Sequence, residues 1–352
     1  MKGGSRAVLA AIGIVIAGCG SSPTSVSFPK HSPTSSATAS ASAAAPSAST
    51  GQASTAPVAT AAQPAVMRCK VPVVLDSEAG WVTFPGGTYQ RDARADHLPP
   101  GPTFPLSKAY DKVYERWVPV GRDLISPDGQ HYAYADATGS RVHVVDLGTG
   151  ADHSFDPGAP PPNSIWVAVD YEAEGVYLEA QPNGPAGTAG LWLLTPSSGA
   201  VKQIAGTASW QYISGGRAWA TSDALTGHGP GPGSRLLGMD LHSGAIVSWY
   251  KRTDVEFTVA GADGGGHPIL QVTKANAPAL IVVTAQNNGF VLPVAPGSGV
   301  PSLSNIIHPV TDSHGMWLGD TGGSLSLYAP ATGIKKLAQV GSGDVGLAGG
   351  CH

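Results

Sequence analysis

Three cysteines are the residues of this chain best suited to covalent chemistry, and each stands in a different setting. Cys19 closes an apolar run and precedes a long stretch in which Lys30 is the only charge. Cys69 and Cys351 flank nearly all of the rest of the chain, and in an oxidising compartment they are expected to pair. Among the carboxylates, Asp136 and Asp320 end equivalent predicted strands; across an axial channel they could serve as an acid/base pair, although solvated strand ends are the commoner outcome. Asp312-x-His314 and Asp240-x-His242 come nearest to metal-ligand pairs, but both fall in predicted hairpin turns, where Asp ordinarily bonds turn amides. G-x-S-x-G, H-E-x-x-H and C-x-x-C are all missing. Gly341-Ser-Gly343-Asp-Val-Gly346 fits G-x-G-x-x-G without room for the helix a dinucleotide needs, so it reads as a turn. No cofactor and no metal is expected. The aromatic residues Phe104, Tyr110, Tyr114 and Trp117 sit in one long connection, 90–117. The last three are spaced i, i+4, i+7 and could line one face of a short helix, either as a binding surface or as a plug in a channel.

The elements that position these residues are sheet elements. Of 352 residues only 12% are charged, while Gly takes 47 positions and Pro 30. Ordinary soluble domains hold about 25% charge, and a helical bundle needs charged outer faces and few breakers. A net charge of −4 leaves no basic footprint, so no nucleic-acid partner is expected. After the first 20 residues no apolar run is long enough to span a membrane.

Residues 1–18 have the plan of a secretory signal: Lys2 and Arg6, then an apolar run from Ala7 to Ala17. Ile16-Ala17-Gly18-Cys19 resembles the lipobox of bacterial lipoproteins, and the resemblance implies that Cys19 is acylated and becomes the mature N-terminus. Residues 19–66 form a tether rich in Ser, Thr, Ala and Pro, with Lys30 its only charge. Such a segment has too little apolar surface to offset the entropy of ordering it. The domain proper is 67–352.

That domain repeats. Val142-His-Val-Val-Asp146-Leu-Gly-Thr-Gly150, Leu191-Trp-Leu-Leu-Thr195-Pro-Ser-Ser-Gly199, Leu236-Leu-Gly-Met-Asp240-Leu-His-Ser-Gly244 and Leu325-Ser-Leu-Tyr-Ala329-Pro-Ala-Thr-Gly333 align without gaps. A fifth unit, ending at Gly289, carries one extra residue. The glycines step by 49, 45, 45 and 44 residues. Each unit is a strand, a polar turn whose Gly supplies positive φ, and a second strand. A second hairpin lies about 20 residues upstream of each, giving the four strands per unit of a β-propeller blade. The expected fold is all-β, a six-bladed β-propeller. One blade takes an inner strand from 345–350 and its other strands from the start of the domain. This closure brings Cys69 and Cys351 to a single missing turn, which is the reason to expect their disulfide.

Ile125-Ser126-Pro127-Asp128-Gly129-Gln-His-Tyr132-Ala133-Tyr134 resembles the S-P-D-G repeat of TolB-type propellers. With Val144-Val-Asp146-Leu-Gly-Thr-Gly150 it is also similar to the blades of quinoprotein and WD-like proteins. The resemblance implies architecture rather than activity. Asp128, Asp146 and Asp240 are expected to bond turn amides.

In such a blade, turns between strands one and two and between strands three and four share one face. The links between strands two and three, and between blades, emerge on the other, and here they are the long ones. Binding ordinarily sits on long loops carried by a rigid scaffold. The expected function is therefore an extracytoplasmic binding module, anchored to the bacterial cell membrane through the lipid on Cys19 and meeting the membrane in no other way. Its partner would be an envelope protein, a saccharide or a small ligand. The alternative is a propeller hydrolase, glycosidase- or lactonase-like, with its site at the channel mouth. Carboxylates or histidines converging on the axis would favour the hydrolase.

Overall fold

The computed structural model describes residues 67–102, 107–182, 190–206, 209–222, 232–274, 278–300, 303 and 306–352. Six sheets are arranged as the blades of a β-propeller. Blade 1 is built, from the axis outward, from Val345–Leu347, Lys70–Leu75, Glu78–Thr83 and Thr88–Arg91. Blade 2 has His131–Ala135, Val142–Asp146 and Asp152–Phe155. Ser164–Glu172 begins blade 3, Tyr212–Ser214 blade 4, Glu256–Ala262 blade 5 and Ile306–Asp312 blade 6, each followed in chain order by three antiparallel partners. Among the described residues no helix is long and apolar enough to cross a membrane.

Blade 1 is closed from both ends of the domain, as expected. Val345–Leu347 pairs antiparallel with Lys70–Leu75, matching Val73 with Leu347 and Leu75 with Val345. Lys70 and His352 exchange two backbone hydrogen bonds, 3.1 and 2.9 Å long. Cys69 and Cys351 are joined by a disulfide with their Cα atoms 5.7 Å apart. Asp312 of blade 6 fastens the same corner: its Oδ2 accepts the Cys351 amide and the Trp317 indole N–H, each at 2.7 Å.

The repeated turn works through its Asp and its Gly together. Asp146 Oδ1 accepts the amide and hydroxyl of Thr149, and Asp240 Oδ1 does the same with Ser243. The following glycines, Gly150 and Gly244, have φ of 74° and 70°, where a side chain would be strained. In blade 5 the extra residue changes the solution, and Asn287 takes the left-handed position at φ 58°.

Alternating strands bury one row of side chains against each neighbouring blade, so the core is a ring of apolar clusters at the blade junctions. Val71, Val73, Trp317 and Leu325 fill the junction of blades 6 and 1, and Trp166, Val142, Val176 and Leu194 that of blades 2 and 3. Blades 1 and 2 meet differently. The 90–117 connection, expected to hold a helical aromatic face, forms a β-hairpin of Ala109–Asp111 and Arg116–Val118 instead. Tyr110 pairs directly with Trp117 across it. One side packs Tyr110 and Trp117 on Ala79, Trp81 and Ala348 of blade 1. The other packs Ala109, Val118 and Val120 on Tyr132, Val145 and Leu147 of blade 2. The hairpin is a wedge between two blades rather than a plug in the channel.

Candidate functional site

The first strand of each blade borders the axis, and in three blades that inner segment is irregular at or beside a residue that can carry a charge. In blade 2 a single 3-10 turn, Arg122–Leu124, precedes Ile125, which bridges to Tyr132. This turn puts Arg122 and Asp123 at the axis. In blade 3 Tyr177 pairs with Asp170 and Leu178 with Ala168, so Val169 bulges and the strand turns Asp170 inward. In blade 6 the register jumps between Ile307 and Val310, and His308 takes a φ of 36°, uncommon for any residue but Gly. Bulges beside a cavity re-aim side chains, and strained backbone concentrates at functional sites.

Arg122, Asp123, Asp170, Tyr212 and His308 converge there. The Tyr212 hydroxyl donates to Asp123 Oδ1 at 3.2 Å, and Arg122 Nη2 reaches the same oxygen at 3.4 Å. His308 Nδ1 lies 3.4 Å from Asp123 Oδ2. Arg122 also donates to the Pro309 carbonyl at 3.4 Å, tying the 3-10 turn to the bulge of blade 6. Two cavities meet at Arg122 and Asp123. One, of about 290 Å³, is bordered by Asp170, Glu172 and Tyr212 and by the short-turn residues Gly215 and Gly264. The other, of about 320 Å³, holds His308, Lys108 and Asp344 and opens beside Asp76 and Ser77, on the face of the longer links.

The two aspartates are driven in opposite directions. Burial would raise the Asp123 carboxyl, but its hydrogen bond with His308 and the charge of Arg122 outweigh burial and hold it below the usual carboxylate range. Asp170 is only 6% exposed. Burial first, then the charges of Asp123 and Glu172, push it up to about 9, against the single Tyr171 amide bond, 2.7 Å long, that favours its ionised form. Tyr212 is raised by burial and by Asp123, so it stays a phenol and a donor. Of the carboxyls around this cavity, which include Glu172 and Asp263, Asp123 is thus held toward its carboxylate form and Asp170 toward its acid form at neutral pH. Environments that separate two carboxyls in this way assign a base and an acid.

The residues singled out in the sequence lie elsewhere. Asp136 Oδ1 accepts the amides of Thr138 and Ser140, and Asp320 Oδ1 those of Gly322 and Ser324, so both cap turns instead of facing one another at the axis. Asp128 accepts the Ser126 hydroxyl and the Gln130 amide, as a turn Asp should. Asp312, His314 and Cys351 come within ligand distance of one another, but the Cys351 sulfur is committed to its disulfide. Tyr110 and Trp117 are buried, at 8% and 2% exposure; Tyr114 lies at the surface, with its hydroxyl on the Gln130 side chain at 2.5 Å. Cys19 and Phe104 fall outside the described residues. Sequence reasoning missed Arg122, Asp123, Asp170, Tyr212 and His308. The available signal was a set of charges in segments due to become inner strands: Arg122-Asp123 just before the S-P-D-G turn, Asp170 and Glu172 before Gly175, and His308 before Pro309.

No family model and no curated protein matches the chain. Solved structures do. TolB from Acinetobacter baumannii is 14% identical, with a TM-score of 0.47 over 80% of this chain and 67% of its own. The extracellular domain of a one-component system from B. thetaiotaomicron, also 14% identical, aligns at 0.39 over 76% of this chain and 31% of its own. A gluconolactonase-like propeller, again 14% identical, aligns at 0.40 over 64% and 78%. The likeness is one of fold.

Proposed function

We propose that residues 67–352 form an acid–base hydrolase acting on a small polar substrate in the axial channel, with glycosidic or lactone C–O cleavage as the reaction class. One observation carries this reading: Asp123 and Asp170 border one cavity, and their surroundings push the two carboxyls in opposite directions. Asp123 takes a proton from a water, whose oxygen attacks the electrophilic carbon. The C–O bond breaks, and Asp170 gives its proton to the departing oxygen. Solvent then returns the proton from Asp123 to Asp170. Tyr212 and His308 orient the two oxygens of Asp123, and the Arg122 guanidinium opposes negative charge that builds during the attack. Cavities of about 290 and 320 Å³ suit a single ring rather than a long polymer.

The test is a panel of nitrophenyl glycosides and lactones. Asp123→Asn and Asp170→Asn should each reduce turnover by roughly 10²–10⁴-fold. Because the acid must carry its proton, the wild-type rate should fall as pH rises through about 9. Turnover equal in wild type and both variants would remove the channel from consideration.

We also propose that the hydrolase works outside the cytoplasm, held to the membrane by lipid on Cys19. The short apolar run ending in Ile16-Ala17-Gly18-Cys19 supports this, as does the uncharged stretch after Lys30. A fatty-acid analogue fed to cells should label the wild type and spare Cys19→Ala; equal labelling of the two would exclude acylation at this residue.

A further inference from the structure

The disulfide of blade 1 meets the first hairpin turn of blade 6, and the groups gathered there are metal ligands. Asp312, His314 and Cys351 each offer a ligand atom within 4.8 Å of the other two. His314 lies between its neighbours, with Nε2 3.9 Å from Cys351 Sγ and Nδ1 3.3 Å from Asp312 Oδ1. Cys69, bonded to Cys351, brings a second sulfur to the same corner. The turn that makes Asp312-x-His314 read as structural in the sequence is what carries both side chains here: Asp312 Oδ1 accepts the His314 amide at 2.7 Å.

The shape of this corner rests on more than its S–S bond. Phe84 donates its amide to the Cys69 carbonyl at 2.8 Å, and Cys351 donates its own to Asp312 Oδ2 at 2.7 Å. A Cβ at Gly350 would stand 2.8 Å from that same oxygen, so a glycine is needed for the approach. None of these bonds involves sulfur, and they hold the two cysteine Cα atoms 5.7 Å apart. Two thiolates, an imidazole nitrogen and a carboxylate or water form a donor set suited to zinc. Tetrahedral zinc, with bonds of about 2.0–2.3 Å, places neighbouring sulfur and nitrogen about 3.6 Å apart and two sulfurs about 3.8 Å apart. The Nε2–Sγ distance is already close to the first value, so the movement needed is mainly that of the sulfurs from one another.

We propose that this corner, with its disulfide reduced, binds one zinc ion through Cys69, Cys351 and His314, with Asp312 or a water as fourth ligand. A dithiol supplies two electrons and two protons: the S–S bond breaks, Cys69 and Cys351 become thiols, and the dithiol becomes a disulfide. Zinc then displaces both thiol protons to solvent and takes the lone pair of His314 Nε2. The two closures exclude one another, because sulfurs bonded to each other provide no thiolate. The ring of blades is thus fastened by a disulfide in oxidising surroundings and by zinc in reducing ones.

The test is calorimetric titration with zinc of the full-length Cys19→Ala chain in detergent, in which Cys69 and Cys351 are the remaining cysteines. One sample stays oxidised; the other is reduced with dithiothreitol, which is removed under nitrogen before the titration. The reduced protein should take one zinc per chain with a Kd of about 1 μM or tighter, and the oxidised protein should bind at least about a hundredfold more weakly. Zinc should raise the melting temperature of the reduced form and leave that of the oxidised form unchanged. His314 is exposed, so His314→Ala should keep the fold and the disulfide while weakening zinc about tenfold or more in the reduced form. Cys351→Ser should remove tight binding altogether. The proposal is overturned if the reduced protein takes no zinc by about 100 μM, or if the oxidised protein binds as tightly. It is equally overturned if reduced, folded His314→Ala binds as well as the chain with His314 intact. Should reduction unfold the protein, recovery of its β-sheet circular dichroism on adding zinc is the readout, and no recovery by about 100 μM overturns the proposal.

Discussion

Asp170→Asn should raise the melting temperature at pH 7 and, in the same molecule, remove turnover. The folded protein holds this carboxyl up to about 9, whereas an unfolded chain releases its proton near 3.9. Folding at neutral pH must therefore keep or capture a proton that the unfolded state would give up. The sign follows from linkage: the stability tied to Asp170 is complete below about 4, declines as pH rises, and is fully lost above about 9. At pH 7 about three pH units of that interval have been crossed, which at 1.36 kcal/mol each sets a ceiling of about 4 kcal/mol. Asn is neutral, has the same shape, and can accept the Tyr171 amide as Asp170 Oδ1 does. At ~2–4 °C per kcal/mol for a large domain, a gain of roughly 5–10 °C is expected at pH 7 and almost none at pH 4. Scanning calorimetry of both proteins at the two pH values checks this. A lower melting temperature for the variant at pH 7 would mean that the carboxyl supports the fold. A gain in stability with loss of activity is what a residue kept for function produces.

Trp117→Ala should do the reverse: a large loss of stability with turnover per folded molecule preserved. Trp117 is 2% exposed. Its indole donates to Asp92 Oδ2 at 3.0 Å, and Trp81 donates to the same oxygen at 2.8 Å. Edge-on packing continues to Trp81 and Tyr110, with ring centres 5.9 and 5.4 Å away. Hydrogen bonding from Arg94, and then from the two indoles against a burial penalty, keeps the Asp92 carboxyl far below its ordinary range, so this clasp loosens only in acid. Truncating a buried Trp costs about 3–5 kcal/mol, or roughly 6–20 °C here. The loss should be large because the hairpin fills the junction of two blades. An unchanged melting temperature would show that blades 1 and 2 hold together without it.

The blades were legible because their outer hairpins are local. Asp146 and Thr149, or Asp240 and Ser243, close a turn within four residues, and the positive φ at Gly150 or Gly244 leaves a mark in the sequence at each repeat. Closure was legible because Cys69 and Cys351 mark both sides of one blade. The aromatic segment was not. Trp117 lies seven positions after Tyr110, which fits two turns of helix and fits equally well two strands facing one another across a short turn. The channel was less legible still. Asp170 has an unusual proton affinity first because the assembled blades bury it, and then because of the charges of Asp123 from blade 2 and of Glu172 on its own strand; no spacing within blade 3 encodes the burial or the approach of Asp123. The bulges at Val169 and His308 break the alternation that makes a strand readable, so the functional positions are those where the periodic signal is weakest.

The most direct measurement is the titration of the two side-chain carboxyls by isotope-edited NMR or infrared spectroscopy, which requires no substrate. Asp170 should remain a carboxylic acid through neutral pH and ionise near 9, while Asp123 should already be a carboxylate well below that. In Asp123→Asn, which removes the neighbouring charge, the Asp170 midpoint should fall. An Asp170 carboxyl that ionises near 4 in the folded wild-type protein would contradict the acid–base pair on which the proposed activity rests.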